Sequence, residues 1–349
     1  MDAFFASVEE SKKPYLKGRP IVVGADPEGG RGRGVVSTAS YAARKYGIGS
    51  ATPITRAWKL CEDAKKGGNP PCVFITGGFD KYGKVSKEVF QIVKKHVSCV
   101  EKVSVDEGYL ELSFCKTFKE ARLLSEKIKR EIREKTKLSC SIGIGPNKLI
   151  AKIASDFKKP NGLTVVTEGT AEKFLEPLPL NAIPGIGPKA LQKFSRKGMY
   201  TVRDAKSLSW EVLGKMFGKW GFSMYEKLRG IDERMFSEQA ESKSIGKHHT
   251  FYEDTKDMKK VLTVLKEQAR ELFEAMREKG FSGFRTVVLT VRFDDFVTHS
   301  RSSTNKEVMK TQKQLEAKSA KLLLPFFEKK ENPKMKKVRL IGLRIEKLK

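Results

Sequence analysis

The sequence predicts a multidomain α/β (α+β) protein, and three observations support this fold class. Residues 1–166 alternate short β-rich segments with helical ones, residues 167–235 have an almost wholly helical pattern, and residues 246–349 return to a mixture of both. A chain of 349 residues is long enough for roughly two to four compact units with cores of their own. A polar segment around 236–245 is predicted to link the helical region to the last one.

Hydrophobic period and turn residues place the elements of the first region. The helix predicted at 117–135 has Ala121, Leu124, Ile128 and Ile132 on one stripe and charges elsewhere, as expected of a helix that packs on a sheet. The other predicted helices are 53–64, 80–96 and 147–158, and the predicted strands are 20–24, 34–38, 72–76, 99–104, 107–113, 138–145 and 163–166.

In the helical region, "IPGIGP" (183–188) and "LRGID" (228–232) are predicted turns. In the last region, strong alternation predicts strands at 285–293 and 337–345, and helix-like segments occupy 256–279 and 306–328.

The net charge of the chain narrows the class of molecule that it binds. The chain has 69 Lys and Arg against 42 Asp and Glu, a net charge of +27, which indicates a polyanionic partner. Nucleic acid is the first candidate and an anionic membrane surface the second, but no segment has the ~18 consecutive apolar residues of a membrane span. The five scattered cysteines are interpreted as plain buried thiols in a reducing compartment.

Two neighbouring acids stand out in "SVDEGYLELS" (104–113). Adjacent side chains on a strand point to opposite faces, so Asp106 and Glu107 can share a site only if the backbone turns there. The flanking strands therefore predict a β-hairpin with both acids at its tip. Such a tip either faces solvent as an ordinary polar turn or holds Mg²⁺, which prefers hard oxygen ligands together with substrate phosphates.

Two further segments carry groups that suit a triphosphate. In "STASYAARKYGI" (37–48), Thr38, Tyr41 and Arg44 are spaced by three at the start of a helix, which fits either a phosphate clamp or an ordinary capped amphipathic helix. In "SIGIGPNKLIAKIASDFKKPNGLTVV" (141–166), a helix carries several lysines and a Pro-Asn-Gly turn follows Lys159. Lysines on a helix often form only a solvated face.

Taken together, these motifs resemble those of Y-family DNA polymerases, the translesion class that includes bacterial DNA polymerase IV and its archaeal relatives. "DAFFASVEE" (2–10) and the three segments above match the family in the same order, and the resemblance covers essentially the whole chain. It implies a right-hand polymerase. The implied parts are a palm (1–10 and 77–166), fingers (11–76), a helical thumb (167–235), a linker (236–242) and a βαββαβ-like little finger (243–349).

The resemblance also implies roles for individual residues. Asp106 and Glu107 would be catalytic metal ligands for two Mg²⁺ ions, which Mn²⁺ can replace. Tyr41, Arg44 and Lys159 would hold the incoming dNTP triphosphate, with help from Thr38. Phe5 would be a steric gate that fills the position of a ribose 2′-hydroxyl, or else a core residue like Phe4.

At the N-terminus the sequence departs from the family motif Asp-x-Asp. Asp2 matches the second Asp and Met1 the residue between the two, so the first Asp, a ligand of both ions, would precede residue 1 together with the first palm strand. The main-chain carbonyl of Met1 would keep its ligand role, and Asp2 is a further candidate ligand. We expect strongly impaired metal chemistry from a chain without the first Asp.

The partners implied are primer–template DNA and dNTPs. "NAIPGIGPKALQKF" (181–194) resembles a helix-hairpin-helix, in which Gly185, Gly187 and Lys189 would approach a phosphate, although an ordinary helix–turn–helix joint has the same pattern. Arg292 and Arg301 in "RFDDFVTHSRSST" (292–304) would follow the DNA backbone. A sliding clamp is a further implied partner, although no clamp-binding peptide is visible, and we expect a monomer that is not membrane-bound.

The favoured function is low-fidelity, template-directed DNA synthesis by two-metal nucleotidyl transfer, across damaged or undamaged templates. We expect the protein in the cytoplasm, with the nucleoid, in a prokaryote, and in the nucleus in a eukaryote. The rival hypothesis is a catalytically impaired or non-catalytic DNA-binding scaffold, because of the absent Asp. A palm-type nucleotidyl cyclase is a third, but it would not need the thumb or the basic C-terminal region.

Overall fold

The chain forms two compact units. A computed structural model describes residues 1–237, 242–329 and 331–349. The first unit is Met1–Gln239 and the second is Ala240–Lys349, and each is described by itself. The predicted linker 236–242 lies partly outside the described residues. In the described part of the chain, no helix combines the length and apolar character needed to cross a membrane.

The first unit contains eleven α-helices and seven strands among its described residues. The strands are β1 (Ile21–Gly24), β2 (Val36–Ala39), β3 (Val73–Thr76), β4 (Val100–Lys102), β5 (Gly108–Leu110), β6 (Ile142–Ile144) and β7 (Leu163–Val165). The helices are α1 (Phe4–Lys12), α2 (Tyr41–Arg44), α3 (Ile54–Lys66), α4 (Phe79–Lys94), α5 (Phe118–Thr136), α6 (Lys148–Phe157), α7 (Glu168–Leu175), α8 (Pro188–Ser195), α9 (Val202–Lys206), α10 (Trp210–Phe217) and α11 (Lys219–Leu228).

Three small sheets organise this unit. β1 lies in the middle of the first, antiparallel to β2 and parallel to β3. β4 and β5 form an antiparallel hairpin, and β6 pairs parallel with β7. The hairpin and the helical content of α7–α11 confirm the sequence-based interpretation of these segments.

Helix α5 shows how the pattern translates into packing. Its N-cap Thr117 accepts a hydrogen bond from the Glu120 N–H, which satisfies one of the free donors of the first turn. Ala121, Ile128 and Ile132 are buried, as the stripe predicts, and the two isoleucines belong to a core shared with α1 and α4. A separate core lies between α6 and helices α7–α11.

The interpretation of the cysteines was wrong for one pair. Cys61, near the end of α3, forms a disulfide with Cys72, which directly precedes β3. Their Cα atoms are 5.8 Å apart because the chain turns back at Gly67 and Gly68 to start the strand. Cys99, Cys115 and Cys140 are free thiols, and only Cys140 is buried.

The second unit has the predicted βαββαβ order. Its elements are β8 (Ser244–Thr255), α12 (Met258–Glu278), β9 (Phe284–Phe293), β10 (Thr298–Met309), α13 (Gln312–Leu323) and β11 (Val338–Glu346). The strands form an antiparallel sheet in the order β10-β9-β11-β8, and residues of α12 and α13 share a core with one face of it.

Two details of this unit differ from the sequence-based prediction. The helix predicted at 306–328 begins only at Gln312, because residues up to Met309 continue β10. Strand β8 was implied by the family resemblance but not by the residue pattern, because it is an edge strand with mostly exposed side chains and therefore lacks apolar alternation.

Helix α6 lies unusually close to β6 at Gly143. A Cβ atom at this position would lie 2.1 Å from the Ala151 carbonyl oxygen and 2.2 Å from the Ser155 nitrogen, both backbone atoms of α6. Only glycine allows this approach, and α6 carries the lysines of the candidate site.

We therefore expect Gly143→Ala to destabilise the first unit by at least ~2 kcal/mol, because the helix must move away from the strand. Urea unfolding followed by circular dichroism measures the change. Gly169→Ala is the matched control: a Cβ there meets nothing within 4 Å, so this variant should be neutral or slightly more stable. Equal stability of the two variants would contradict the close packing of α6 on β6.

Candidate active site

A cavity of about 860 Å³ in the first unit is lined by the groups that the sequence singles out. The hairpin loop contributes Asp106 and Glu107, and Met1 lies beside them. Lys148, Lys152 and Lys159 line it from α6 and the turn that follows. The structure thus brings the acids and the lysines to one cavity, although they are about 40 to 50 residues apart in the sequence.

The hairpin loop 103–107 is organised by Ser104. Its hydroxyl donates to Asp106 Oδ1 at 2.8 Å and accepts from the Asp106 and Glu107 N–H groups at 3.3 and 3.1 Å. The N–H groups of Val103 and Ser104 donate to the Glu107 carbonyl oxygen. The Met1 ammonium donates to the Asp106 carbonyl oxygen at 2.8 Å, so the start of the chain is joined to the loop.

A row of alternating charges runs from the hairpin along α6. The Lys152 ammonium forms an ion pair with Glu107 and lies 3.3 Å from Asp156 Oδ2, and Asp156 Oδ1 lies 2.6 Å from the Lys159 ammonium. Burial alone would raise the pKa of Asp156, but Lys159 and Lys152 hold it below its usual value. We call Glu107, Lys152, Asp156 and Lys159 the charge row.

The donor set at the hairpin tip suits a hard divalent cation that shares its ligands with a substrate. Among the described residues there is no cluster of three or more His, Cys, Asp or Glu side chains arranged for a metal. Asp106 and Glu107 still offer carboxylate oxygens, which are preferred ligands of Mg²⁺, and this ion usually completes its shell with water and phosphate. The residues present therefore fit such an ion in part.

The candidate triphosphate residues Thr38, Tyr41 and Arg44 lie in and around α2. The N-cap Ser40 accepts from the Ala43 N–H, and the Arg44 guanidinium lies 4.6 Å from the centre of the Tyr41 ring. The Tyr41 hydroxyl is buried and has no hydrogen-bond partner among the described residues. Burial raises the pKa of Tyr41, and the charges of Asp2 and Asp156 raise it further, while Arg44 opposes them. Thr38 is in β2, directly before α2.

The structure does not support Asp2 as a metal ligand. Its side chain is only 2% exposed, and its carboxylate accepts from the Ser139 hydroxyl at 3.0 Å, the Ser141 hydroxyl at 2.8 Å and the Asn161 N–H at 2.8 Å. Both oxygens are therefore engaged inside the protein. The sequence could not show this, because these partners are 137 to 159 residues away.

Phe4 and Phe5 have different environments. Phe4 is 2% exposed and belongs to the core, as predicted. Phe5 is partly exposed and stacks on Tyr82 with ring centres 4.1 Å apart and planes at 14°. The Tyr82 hydroxyl donates to Glu9 Oε1 at 2.7 Å, and Lys81 forms an ion pair with the same carboxylate. The candidate gate is therefore supported by a second ring that is itself anchored.

The candidate DNA-binding residues Gly185, Gly187 and Lys189 lie at one exposed turn before and at the start of α8. Gly185 has φ +102°, which favours glycine, and Gly187 is the N-cap of α8, whose first turn contains Lys189. All three are exposed.

In the second unit, Arg292 and Arg301 lie on opposite faces of the sheet. Arg301 pairs in register with Leu289, on the face covered by α12 and α13; it forms an ion pair with Glu331, and its guanidinium lies 5.5 Å from the Phe326 ring centre. Arg292 is on the other face, where its Nε donates to Thr298 Oγ1 at 2.8 Å. The two arginines therefore do not share a face, and their role in DNA binding stays a prediction.

Comparison with known proteins gives the family. Residues 1–156 match the impB/mucB/samB family, residues 242–349 match its C-terminal domain, and residues 181–232 match the thumb domain of DNA polymerase iota. The DNA polymerase IV of Methanoculleus marisnigri is 41% identical over 349 residues, which is 100% of this chain and 92% of that protein. The chain belongs to the Y family of DNA polymerases.

A second relative and two solved structures support the same family assignment. DNA polymerase IV 2 of Methanosarcina mazei is 43% identical over 87% of this chain and 80% of its own length. Among solved structures, a Y-family DNA polymerase chimera of Dbh and Dpo4 superposes with a TM-score of 0.86 at 28% identity, covering 99% of this chain and 97% of the chimera. An insertion ternary complex of Dbh DNA polymerase gives 0.64 at 28% identity, with 99% and 97% coverage.

The chain is therefore a member of a family of DNA-directed DNA polymerases, which are nucleotidyltransferases. This confirms the predicted fold class, with its thumb and little finger.

From the sequence we did not single out three residues that contact the candidate site residues directly or through one another. Asp156 had a local signal, since it lies four residues after Lys152 and three before Lys159 on α6. Tyr82 and Glu9 had none, because they are 73 residues apart.

The buried Glu9 gives a pH-dependent prediction. Burial alone would raise its pKa, but hydrogen bonds from Lys81 and Tyr82 lower it below 4.5. The ionised group therefore stabilises the fold above pH ~4.5, and this contribution is lost as the pH falls through the folded-state pKa. Glu9→Gln should cost about 1–3 kcal/mol at pH 7, and the difference from the parent should shrink below pH ~4.5.

Urea unfolding between pH 3 and 7 measures this difference, and Glu10→Gln is the control. Burial raises the pKa of Glu10, so its ionisation opposes folding and the trend with pH should be reversed. A constant difference between parent and Glu9→Gln across this range would contradict the anchored arrangement of Glu9 and Tyr82.

Proposed function

We propose that this chain extends a DNA primer by transferring a nucleotide from a dNTP, copying damaged as well as undamaged template. The observation that carries the proposal is the convergence of two hairpin carboxylates and the charge row on one cavity in a Y-family fold. Relatives over most of the chain are named DNA polymerase IV, which supports translesion synthesis as the class of activity. Low fidelity is part of the proposal.

In the proposed reaction the primer 3′-hydroxyl attacks the α-phosphate and pyrophosphate leaves. Asp106 and Glu107, with the Met1 carbonyl, would hold Mg²⁺, or Mn²⁺ in its place, and such ions stabilise the charge that develops on the reacting oxygens.

For the triphosphate of the incoming dNTP, Lys159 and Arg44 would neutralise its negative charge. The buried Tyr41 hydroxyl would donate to a phosphate oxygen, which would satisfy a polar group that has no hydrogen-bond partner within the part of the chain that the structure describes. Thr38 would assist.

Phe5 would select the sugar. A ring supported by Tyr82 at 4.1 Å can exclude the volume of a 2′-hydroxyl only if it does not move aside, and the Glu9–Tyr82 hydrogen bond limits that movement. The proposed gate thus acts by steric exclusion and not by recognition of a polar group.

Primer–template DNA would be bound through its phosphates. The net charge of +27 supplies the attraction, and the exposed turn at Gly185, Gly187 and Lys189 would contact the backbone. On the second unit we assign this role to the face that carries Arg292 and not to Arg301. A clamp partner, a monomeric state and a location with cellular DNA are parts of the proposal that follow from the family resemblance.

Primer extension tests the proposal. Asp106→Asn should reduce the rate at least ~100-fold, equivalent to about 3 kcal/mol of transition-state stabilisation, because the hairpin loses one of its two anionic ligands. DNA affinity should stay within about twofold, because Lys and Arg contacts to phosphates dominate it. Glu126→Gln is the control: Glu126 is an exposed acid on α5, paired with Arg122, and its variant should extend like the parent.

Asp106→Asn activity within about tenfold of the parent would contradict the assignment of the acids. A parent protein that binds primer–template but does not extend it with either Mg²⁺ or Mn²⁺ would instead favour a non-catalytic DNA-binding scaffold.

A further inference from the structure

The turn after α6 is held in place by two residues that are distant in sequence. This turn contains Lys159, Asn161 and Gly162, and it leads from α6 into β7. Asn161 has φ +56°, a left-handed conformation that Asn adopts more readily than most residues. Its backbone N–H and its side-chain oxygen are both hydrogen-bonded to side chains from other elements.

The first of these residues is Asp2. One of its carboxylate oxygens accepts from the Asn161 N–H, and Ser141, which donates to the other, accepts in turn from the Gly162 N–H at 3.1 Å. Burial of a carboxylate costs free energy unless its oxygens are hydrogen-bonded. Asp2, at 2% exposure, meets this condition through Ser139, Ser141 and the turn, and it loses the Asn161 hydrogen bond if the turn moves.

The second residue is Lys129 on α5. Its ammonium donates to the Cys140 carbonyl at 2.6 Å, to Asn161 Oδ1 at 3.1 Å and to the Gly162 carbonyl at 2.9 Å. Three donors of the ammonium are thus used on three acceptors, two of them in the turn. Asp2 and Lys129 therefore bind the two sides of the same peptide segment. We call these two residues the turn clamp.

The clamp acts on the backbone next to Lys159, whose ammonium end is held separately by Asp156. A flexible four-carbon side chain reaches a phosphate in a fixed geometry only if its Cα is fixed. We propose that Asp2 and Lys129 are positioning residues for nucleotide binding, which hold the turn so that Lys159 meets the triphosphate of the incoming dNTP. This inference rests on the proposed function, because it takes Lys159 as a triphosphate ligand.

The test is a double-mutant cycle on dNTP affinity. Affinity is measured in the presence of Mg²⁺ on primer–template with a dideoxy-terminated primer, so that no chemistry takes place. Lys159→Met should weaken dNTP binding at least ~10-fold through loss of a charge-assisted contact. Asp2→Asn should weaken it ~5- to 20-fold in the parent but less than about twofold in the Lys159→Met background, since residues that act as a unit are non-additive.

Lys129→Met provides a second, independent variant in case Asp2→Asn does not fold, and it should give the same non-additive result. The matched control is Lys127→Met, an exposed lysine on the same helix, which should leave dNTP affinity unchanged. Circular dichroism and the thermal midpoint establish that each variant is folded at the assay temperature. A loss of stability alone would not produce the dependence on Lys159.

The outcomes separate the inference from the proposed function. If Lys159→Met binds dNTP like the parent, the proposed nucleotide site is wrong. If Lys159→Met is impaired but the clamp variants bind like the parent, or add their full effect to Lys159→Met, the inference alone is overturned. Mn²⁺ binding followed by electron paramagnetic resonance should be the same for Asp2→Asn and the parent; weaker binding by the variant would make Asp2 a metal ligand and also overturn the inference.

Discussion

The alternation of charge from Glu107 to Lys159 is the interaction on which the candidate site depends. The Glu107 carboxylate, a candidate cation ligand, is neutralised in this structure by its ion pair with Lys152. Asp156 does the same for the two lysines on either side of it. Because these groups are partly exposed, the row adds little to the free energy of unfolding. The charge row instead determines how the carboxylates and ammonium groups are arranged along the cavity.

Helix α6, which carries Lys152 and Asp156 of the charge row, packs on the core through its other side. Leu149, Ile150, Ile153 and Ala154 are buried, so the opposite face of the helix is directed into the cavity. The close approach at Gly143 and the N-cap Asn147, which accepts from the Ile150 N–H, fix where the helix starts and how near the sheet it lies. Packing in the core thereby decides the position of charges at the surface.

Sequence reasoning succeeded where the signal is local. The hairpin with its acids at the tip and the lysine-bearing helix α6 follow from residues that are neighbours in the chain. It gives no signal where position depends on distant partners. Asp2 was a further candidate for a metal ligand, and no local pattern shows that its hydrogen-bond partners are Ser139, Ser141 and Asn161.

The sequence pattern likewise could not show which face of the sheet carries the Arg301 side chain. Side chains alternate between faces, so a strand's face is fixed by its register with the next strand, and Arg301 stands opposite Leu289 and not opposite Arg292. The disulfide between Cys61 and Cys72 depends likewise on how α3 folds back onto β3.

In the proposed site, Glu107 would be a ligand of a divalent cation, and Lys152 would be its counter-charge while no cation is bound. Mn²⁺ titration of the protein, followed by electron paramagnetic resonance, tests it most directly with Lys152→Met and the control Lys158→Met, an exposed lysine of the same segment. Loss of the competing ammonium should tighten Mn²⁺ binding about fivefold in the first variant, equivalent to ~1 kcal/mol, and the control should match the parent. Unchanged or weaker Mn²⁺ binding by Lys152→Met would contradict the account.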